Sequence, residues 1–301
     1  MKTKSGFFGV YPMVYALFDS AGNLSRGAMR RQVEAMLQHK VHGIGVLGLA
    51  TEVNKLSTAE RLQLLEWVTE DVAGRAPIAV TVAEVSAGGQ ADFVRSAAAL
   101  GAKWAILQPP QVKGVPESEL IRFFGSVAEK SPIPLAIQNA PEYLGIGLTH
   151  AGIKALNKAH ANVSIVKLEA TALSIAQLNA EVEGAMDIFN GRGGIEMIDS
   201  LRAGAVGSIP GGECYDVLTR IFADFTTGGP DGQRRAEQAY AELLPLLVVL
   251  MASIDTFLTY GKLVLGHRLG VAETAPRLPG TPATTFGADL MRRYADKLGK
   301  L

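Results

Sequence analysis

The sequence predicts an α/β fold, a (β/α)8 TIM barrel carrying a C-terminal helical extension, and three observations point there. Its 301 residues suit one such barrel with an appendage. Short apolar, β-branched runs recur eight times, most of them followed by a longer segment of helical periodicity. No Gly-x-Gly-x-x-Gly turn follows the first run, which leaves a dinucleotide-binding doubly wound sheet without support.

In chain order the predicted strands are 8–13, 43–48, 77–82, 104–107, 134–138, 163–167, 186–189 and 205–209. The first lies in an apolar stretch from Phe7 to Phe18 behind Lys2 and Lys4, a start that superficially resembles a leader peptide. Gly9 and Pro12 interrupt that stretch, and 19–23 offers no small-x-small cleavage site, so it reads as the opening strand of a cytoplasmic protein. Amphipathic helices are expected over 26–39, 57–72, 89–100, 117–129 and 194–203. Ser57-Thr58-Ala59-Glu60 opens the second of these with a capping box. Beyond about residue 225 only helix is expected, through 232–250, 254–269 and 285–298. The apolar run over 243–252 is about half the roughly twenty residues a spanning helix needs, and reads as a buried helix. The division that follows is a barrel over 1–225 carrying the active site and a helical region over 226–301 that closes the site or builds an oligomer interface.

Twenty-nine basic and 29 acidic side chains cancel, which argues against nucleic acid held by bulk electrostatics and leaves a small molecule as the expected partner. The single cysteine, Cys214, excludes an internal disulfide framework, fits a reducing compartment and reads as a small buried apolar residue. The five histidines form no His-x-x-x-His or Glu-x-x-His pair and no Gly-x-Ser-x-Gly elbow occurs, so neither a metal, another cofactor nor a serine nucleophile is expected.

Barrel chemistry sits at the C-terminal ends of the strands. Lys167 ends the run Val163-Ser164-Ile165-Val166 and would stand at the mouth of an apolar barrel. An apolar setting favours a neutral amine, the form that attacks a carbonyl to give a Schiff base, whereas the alternative is a lysine whose head snorkels to water. Strand alternation puts Ile165, Lys167 and Glu169 on one side, so a carboxylate stands beside the amine, either as a proton shuttle or in an ion pair with Lys167 or Arg192. Backbone N–H groups of Leu49 and Ala50 and the Thr51 hydroxyl are placed to hold a carboxylate, or form only a tight turn. Gly191 and Arg192 follow the seventh strand, where Arg192 pairs with a substrate anion or simply faces solvent. Ile209, ending the eighth strand, completes the candidate binding set.

The ordered motifs Gly48-Leu49-Ala50-Thr51-Glu52, Asn139-Ala140-Pro141, Ile165-Val166-Lys167-Leu168-Glu169-Ala170, Asn190-Gly191 and Gly204-Ala205-Val206-Gly207 resemble the dihydrodipicolinate synthase and N-acetylneuraminate lyase family over nearly the whole chain. The resemblance implies a class I aldolase-type lyase, commonly a tetramer, with Lys167 as its Schiff-base lysine and a short 2-keto acid as substrate. The departures are specific. The family's Gly-Thr-Thr-Gly-Glu has Leu49 and Ala50 at its threonine positions, its Tyr-Asn-x-Pro has Gln138 for tyrosine, and Gln111 stands where a second tyrosine is expected. An amide has no proton titrating near neutrality and cannot act as general acid or base, which disfavours the synthase reaction. Gln138-Asn139-Ala140-Pro141 with Lys167-Leu168-Glu169 is closer to the branch of 2-keto-3-deoxy sugar-acid dehydratases, including L-2-keto-3-deoxyarabonate dehydratase. There Glu169 takes the C3 proton and Tyr143, near where the synthase carries a carboxylate-binding arginine, reads the far end of the substrate or merely packs. Retro-aldol cleavage, a synthase-like condensation, a deaminating lyase and a 2-keto-acid-binding protein of weak activity are the alternatives.

Overall fold

The computed structural model describes residues 3–112 and 114–301; Lys2 lies outside the described residues. Among the described residues eight strands follow one another: β1 (Gly9–Val10), β2 (Ile44–Val46), β3 (Ile78–Val82), β4 (Trp104–Leu107), β5 (Leu135–Asn139), β6 (Val163–Leu168), β7 (Asp187–Asn190) and β8 (Gly207–Ser208). Each falls inside a predicted run or oversteps it by one residue. β1 is much shorter than 8–13, because Gly9 sits at φ 92°, Pro12 has no N–H, and Met13 N–H turns to Pro210 O at 2.8 Å.

The helices are α1 (Arg26–Gln38), α2 (Thr58–Val72), α3 (Ala87–Leu100), α4 (Glu117–Ala128), the short α5 (Pro141–Leu144), α6 (His150–Ala159), α7 (Ala172–Val182), α8 (Met197–Arg202), α9 (Tyr215–Thr227), α10 (Gly229–Leu250), α11 (Ile254–Leu269) and α12 (Thr285–Leu298). Serine or threonine caps start many of them: Ser25, Ser57, Ser86, Thr149, Thr171, Ser253 and Thr284 each accept an N–H from the first turn. The expected capping box is present, with Glu60 N–H donating to Ser57 Oγ and Ser57 N–H to Glu60 Oε2. The apolar run at the end of α10 buries Leu243, Leu246, Leu247 and Leu250 but leaves Val248 exposed, and no described helix is long and apolar enough to cross a membrane. Cys214 is fully buried, as expected.

The chain divides into two compact units, one of the N-terminal residues through Gly9 with Ile78–Ile209, the other of Val10–Pro77 with Pro210–Leu301. In the first, β3 to β8 pair consecutively and in parallel, and the strands are buried almost throughout, as a parallel sheet covered on both faces requires. Register places Gln138, Lys167, Phe189 and Gly207 side by side on one face. At the foot of β7 the carboxylate of Asp187 accepts Lys4 N–H at 3.0 Å and both Ser5 N–H and Ser5 Oγ–H, which ties the N-terminal segment down. Phe7 stacks on Trp104, and Trp104 packs against Phe189, an aromatic cluster within the same unit. In the second unit β2 is joined to the segment after β1 through Gly45, which bridges Met13, and α1, α2 and α9 to α12 belong to the same unit.

Candidate active site

Lys167 occupies the last turn of β6 and is 5 % exposed, so the amine is held at the strand end and does not snorkel out. Its Nζ donates to Glu169 Oε1 at 2.7 Å. The same Oε1 accepts from Gln138 Nε2 at 2.7 Å, and Gln138 Oε1 accepts from Gln108 Nε2 at 3.1 Å. A polar chain therefore runs across the ends of β4, β5 and β6 and terminates on the carboxylate beside the amine. Glu169 Oε2 has no hydrogen-bond partner among the described residues, which leaves one oxygen free to accept a proton. Glu169 N–H is anchored on Asn139 O at 3.0 Å.

Gly191 makes room for this pair. A Cβ there would lie 2.6 Å from Glu169 Cγ and 3.1 Å from Lys167 Cε, so the position accepts no side chain without displacing both groups. Asn139 and Asn190 shape the flanking loops and do not offer their amides to a ligand: Asn139 exchanges two hydrogen bonds with Leu148, and Asn190 bonds Ile195 O, Ser200 Oγ and Arg192 N–H. Ile209 is buried and its N–H reaches Asn190 O at 2.9 Å.

Tyr143 and Arg192 are brought together. Arg192 donates to Glu196 Oε2 at 3.2 Å and lies beside Tyr143; its partial burial opposes the charge, yet these neighbours hold its pKa above the ordinary value. Arg192 is thus neither solvent-facing nor an unencumbered anion clamp. Tyr143, 40 % exposed, borders an 810 Å3 cavity with Gln108, Gln111 and Val112. A second cavity of 400 Å3 borders Glu169, Leu168, His150 and Ser174. Gln111 lies exposed on the first cavity wall, whereas Gln108, three residues earlier, enters the polar chain. Nothing in the residue pattern singled out Gln108, although its place one residue beyond β4 matches that of Glu169 beyond β6.

Leu49, Ala50 and Thr51 belong to the second unit. The turn is tied internally by Thr51 N–H to Gly48 O at 3.1 Å and Glu52 N–H to Leu49 O at 2.8 Å, while the N–H groups of Leu49 and Ala50 have no acceptor among the described residues. The Thr51 hydroxyl reads differently from the expectation: it is fully buried and donates to Val14 O at 2.7 Å, so its proton is committed to the backbone. Two non-glycine residues of the turn are left-handed, Leu47 at φ 63° and Glu52 at φ 53°. The Glu52 carboxylate is fully buried and accepts from Lys262 Nζ, also fully buried, and from Lys55 Nζ at 2.7 Å. Burial pushes the Lys262 pKa down, against the opposing pull of Glu52. Sequence reasoning missed Lys262, whose signal is a lone charge inside the run Leu258-Thr259-Tyr260-Gly261-Lys262-Leu263-Val264-Leu265.

The dihydrodipicolinate synthetase family model matches residues 6–296. The chain belongs to that family. It is an enzyme of the class I, lysine-dependent lyase type, in which dehydratases and aldolases both occur. The chain is 27 % identical over 245 residues, 78 % of each chain, to L-2-keto-3-deoxyarabonate dehydratase of Azospirillum brasilense. It is 25 % identical over 298 residues, 97 % of each chain, to 4-hydroxy-tetrahydrodipicolinate synthase of Methanopyrus kandleri. Among solved structures, YagE of Escherichia coli K12 in complex with pyruvate, a prophage protein of the dihydrodipicolinic acid synthase family, superposes with a TM-score of 0.90 at 21 % identity, over 97 % of this chain and 99 % of that one. That likeness gives the chain the same fold.

Proposed function

We propose that the protein dehydrates a 2-keto-3-deoxy sugar acid of the L-2-keto-3-deoxyarabonate kind through a Schiff base on Lys167. The observation that carries the reading is the carboxylate of Glu169, 2.7 Å from Lys167 Nζ and steered by Gln138, at the end of the strand where the family's relay tyrosine is absent. Lys167 adds to the C2 ketone and water leaves, giving an iminium that acidifies C3. Glu169 removes a C3 proton through its unpartnered oxygen and returns that proton to the departing C4 hydroxyl, so the second water leaves without another acid. Hydrolysis then frees Lys167. Gln138 and Gln108 supply no proton; their amides hold Glu169 in place as an acceptor.

The distal end of the substrate is assigned to Tyr143 and Arg192, on the same compact unit as Lys167. Gly191 and Ile209 border the reacting carbons. The reading takes residues 1–225 as the (β/α)8 barrel that carries this chemistry, residues 226–301 as a C-terminal helical region, and the protein as a cytoplasmic homotetramer. Product analysis by proton NMR tests it: a 2-keto-3-deoxypentonate should lose water with no release of pyruvate. Pyruvate release instead would establish retro-aldol cleavage on the same lysine.

A further inference from the structure

We propose that Gln108 reads the substrate beyond its reacting carbons, accepting a hydrogen bond from the C5 hydroxyl and so selecting a keto acid that carries one. The inference rests on the Schiff base assigned to Lys167 and uses residues of the first unit alone. It begins with the direction of the polar chain. An ionised carboxylate only accepts, so Glu169 Oε1 takes N–H donors from both Lys167 and Gln138. With its amide nitrogen turned to Glu169, Gln138 presents Oε1 to the next residue, and Gln108 Nε2 donates to it at 3.1 Å. Each amide orientation is thus set by the one before it. The carbonyl left over at the end is Gln108 Oε1, which has no donor among the described residues. Proton uptake on Glu169 Oε2 keeps this order, because Oε1 remains the acceptor.

That spare acceptor belongs to a residue lining the 810 Å3 cavity. The backbone of Gln108 is tied on both sides: its N–H donates to Val82 O at 3.0 Å and its carbonyl accepts from Gln90 Nε2 at 2.8 Å. Gln90 is fully buried, and Pro109 and Pro110 follow Gln108, so the segment has little freedom to swing aside. Tyr143 borders the same cavity, and its phenol O–H is a donor. A group that satisfies both residues has to donate to Gln108 and accept from Tyr143, as a hydroxyl does. An ammonium has no lone pair to offer, and a carboxylate, an ether or a methyl group has no proton to give. In the dehydration proposed above the C4 hydroxyl departs through Glu169, so the hydroxyl that remains for Gln108 is the one on C5. Support of Gln138 uses the nitrogen of Gln108; selection of the substrate uses its oxygen.

The test compares wild type with Gln108→Met by borohydride trapping on Lys167, using 5-hydroxy-2-oxopentanoate and 2-oxopentanoate. Neither acid carries a C4 hydroxyl, so neither is dehydrated or cleaved, and they differ only at C5; concentrations are those of the open-chain keto form, read by proton NMR. The half-saturating concentration of the hydroxy acid should rise roughly tenfold in the variant, the size of one lost hydrogen bond, with that of 2-oxopentanoate changed less than about twofold. An unchanged value for the hydroxy acid, or a parallel rise for both acids, overturns the proposal, since loosening of Gln138 and Glu169 acts on both acids alike. No labelling of wild type by either acid removes the Schiff-base reading, and the proposal falls with it; labelling without the selective rise removes the proposal alone. Should Gln108→Met fail to fold, 5-fluoro-2-oxopentanoate takes its place as a probe of wild type, because fluorine is close to a hydroxyl in size and cannot donate. It should half-saturate near 2-oxopentanoate and roughly tenfold above the hydroxy acid, and equal half-saturation of the fluoro and hydroxy acids would overturn the proposal.

Discussion

Two buried lysine–glutamate pairs divide this molecule's chemistry between them, and they differ in what surrounds the carboxylate. Lys167 and Glu169 keep 7 % and 12 % of their side-chain surface, while Lys262 and Glu52 keep none. Glu169 leaves Oε2 unpartnered, whereas Glu52 has both oxygens taken by cations. Burial alone therefore does not make a lysine reactive. Reactivity requires a path for a ketone and a carboxylate with a spare lone pair; the fully closed pair supplies rigidity.

The largest expected effect separates the two pairs by activity. Lys167→Ala should lower the rate of keto-acid consumption by at least about a thousandfold, as loss of a covalent nucleophile does, with the unfolding midpoint nearly unchanged. Glu169→Gln should reduce dehydration by about 10²–10⁴-fold while borohydride trapping persists, because the amide cannot carry the C3 proton but does not block imine formation. Turnover within a few-fold of wild type would assign the base elsewhere. Gly191→Ala sharpens the comparison sterically: its Cβ meets Glu169 Cγ at 2.6 Å, and a loss of about a hundredfold in kcat is expected from displacing the carboxylate.

The closed pair should respond in stability. Glu52→Ala leaves two ammonium groups without their shared carboxylate and should cost about 3–5 kcal/mol, read as a lower denaturant midpoint at unchanged slope. The smallest effect lies at the rim of the same cluster, where the Arg277 guanidinium 2.7 Å away brings the Glu60 pKa down to about 2. A carboxylate depressed in the folded state stabilises the fold above its unfolded pKa and loses that contribution as pH falls through the folded value. Glu60→Gln should thus cost up to about 1 kcal/mol near neutral pH, the pair being partly exposed and screened, and the difference from wild type should fade between pH 4.5 and about 2. A constant difference across that window would place the effect in capping of α2 alone.

What the residue pattern made legible follows from the same contrast. Parallel strands buried on both faces leave unbroken apolar runs, so β3, β4 and β6 could be placed within a residue or two, and a lysine ending such a run stood out at Lys167. Glu169 was legible because strand alternation carries two residues past Lys167. Gln108 and Lys262 were not, since their roles depend on neighbours brought from other segments, Gln138 for the first and Glu52 for the second, and no spacing along the chain encodes those meetings. Thr51 shows the reverse case: its hydroxyl was visible in the motif, but its commitment to Val14 O is a tertiary contact.

The most direct test of the account is to incubate the protein with pyruvate, reduce with borohydride and map the modified peptide by mass spectrometry, with Lys167→Ala and Lys262→Met in parallel. The account predicts an adduct of one pyruvate on Lys167, absent from the first variant and still formed by the second at saturating pyruvate. An adduct on Lys262, or none under conditions that label a known Schiff-base lyase, would contradict it.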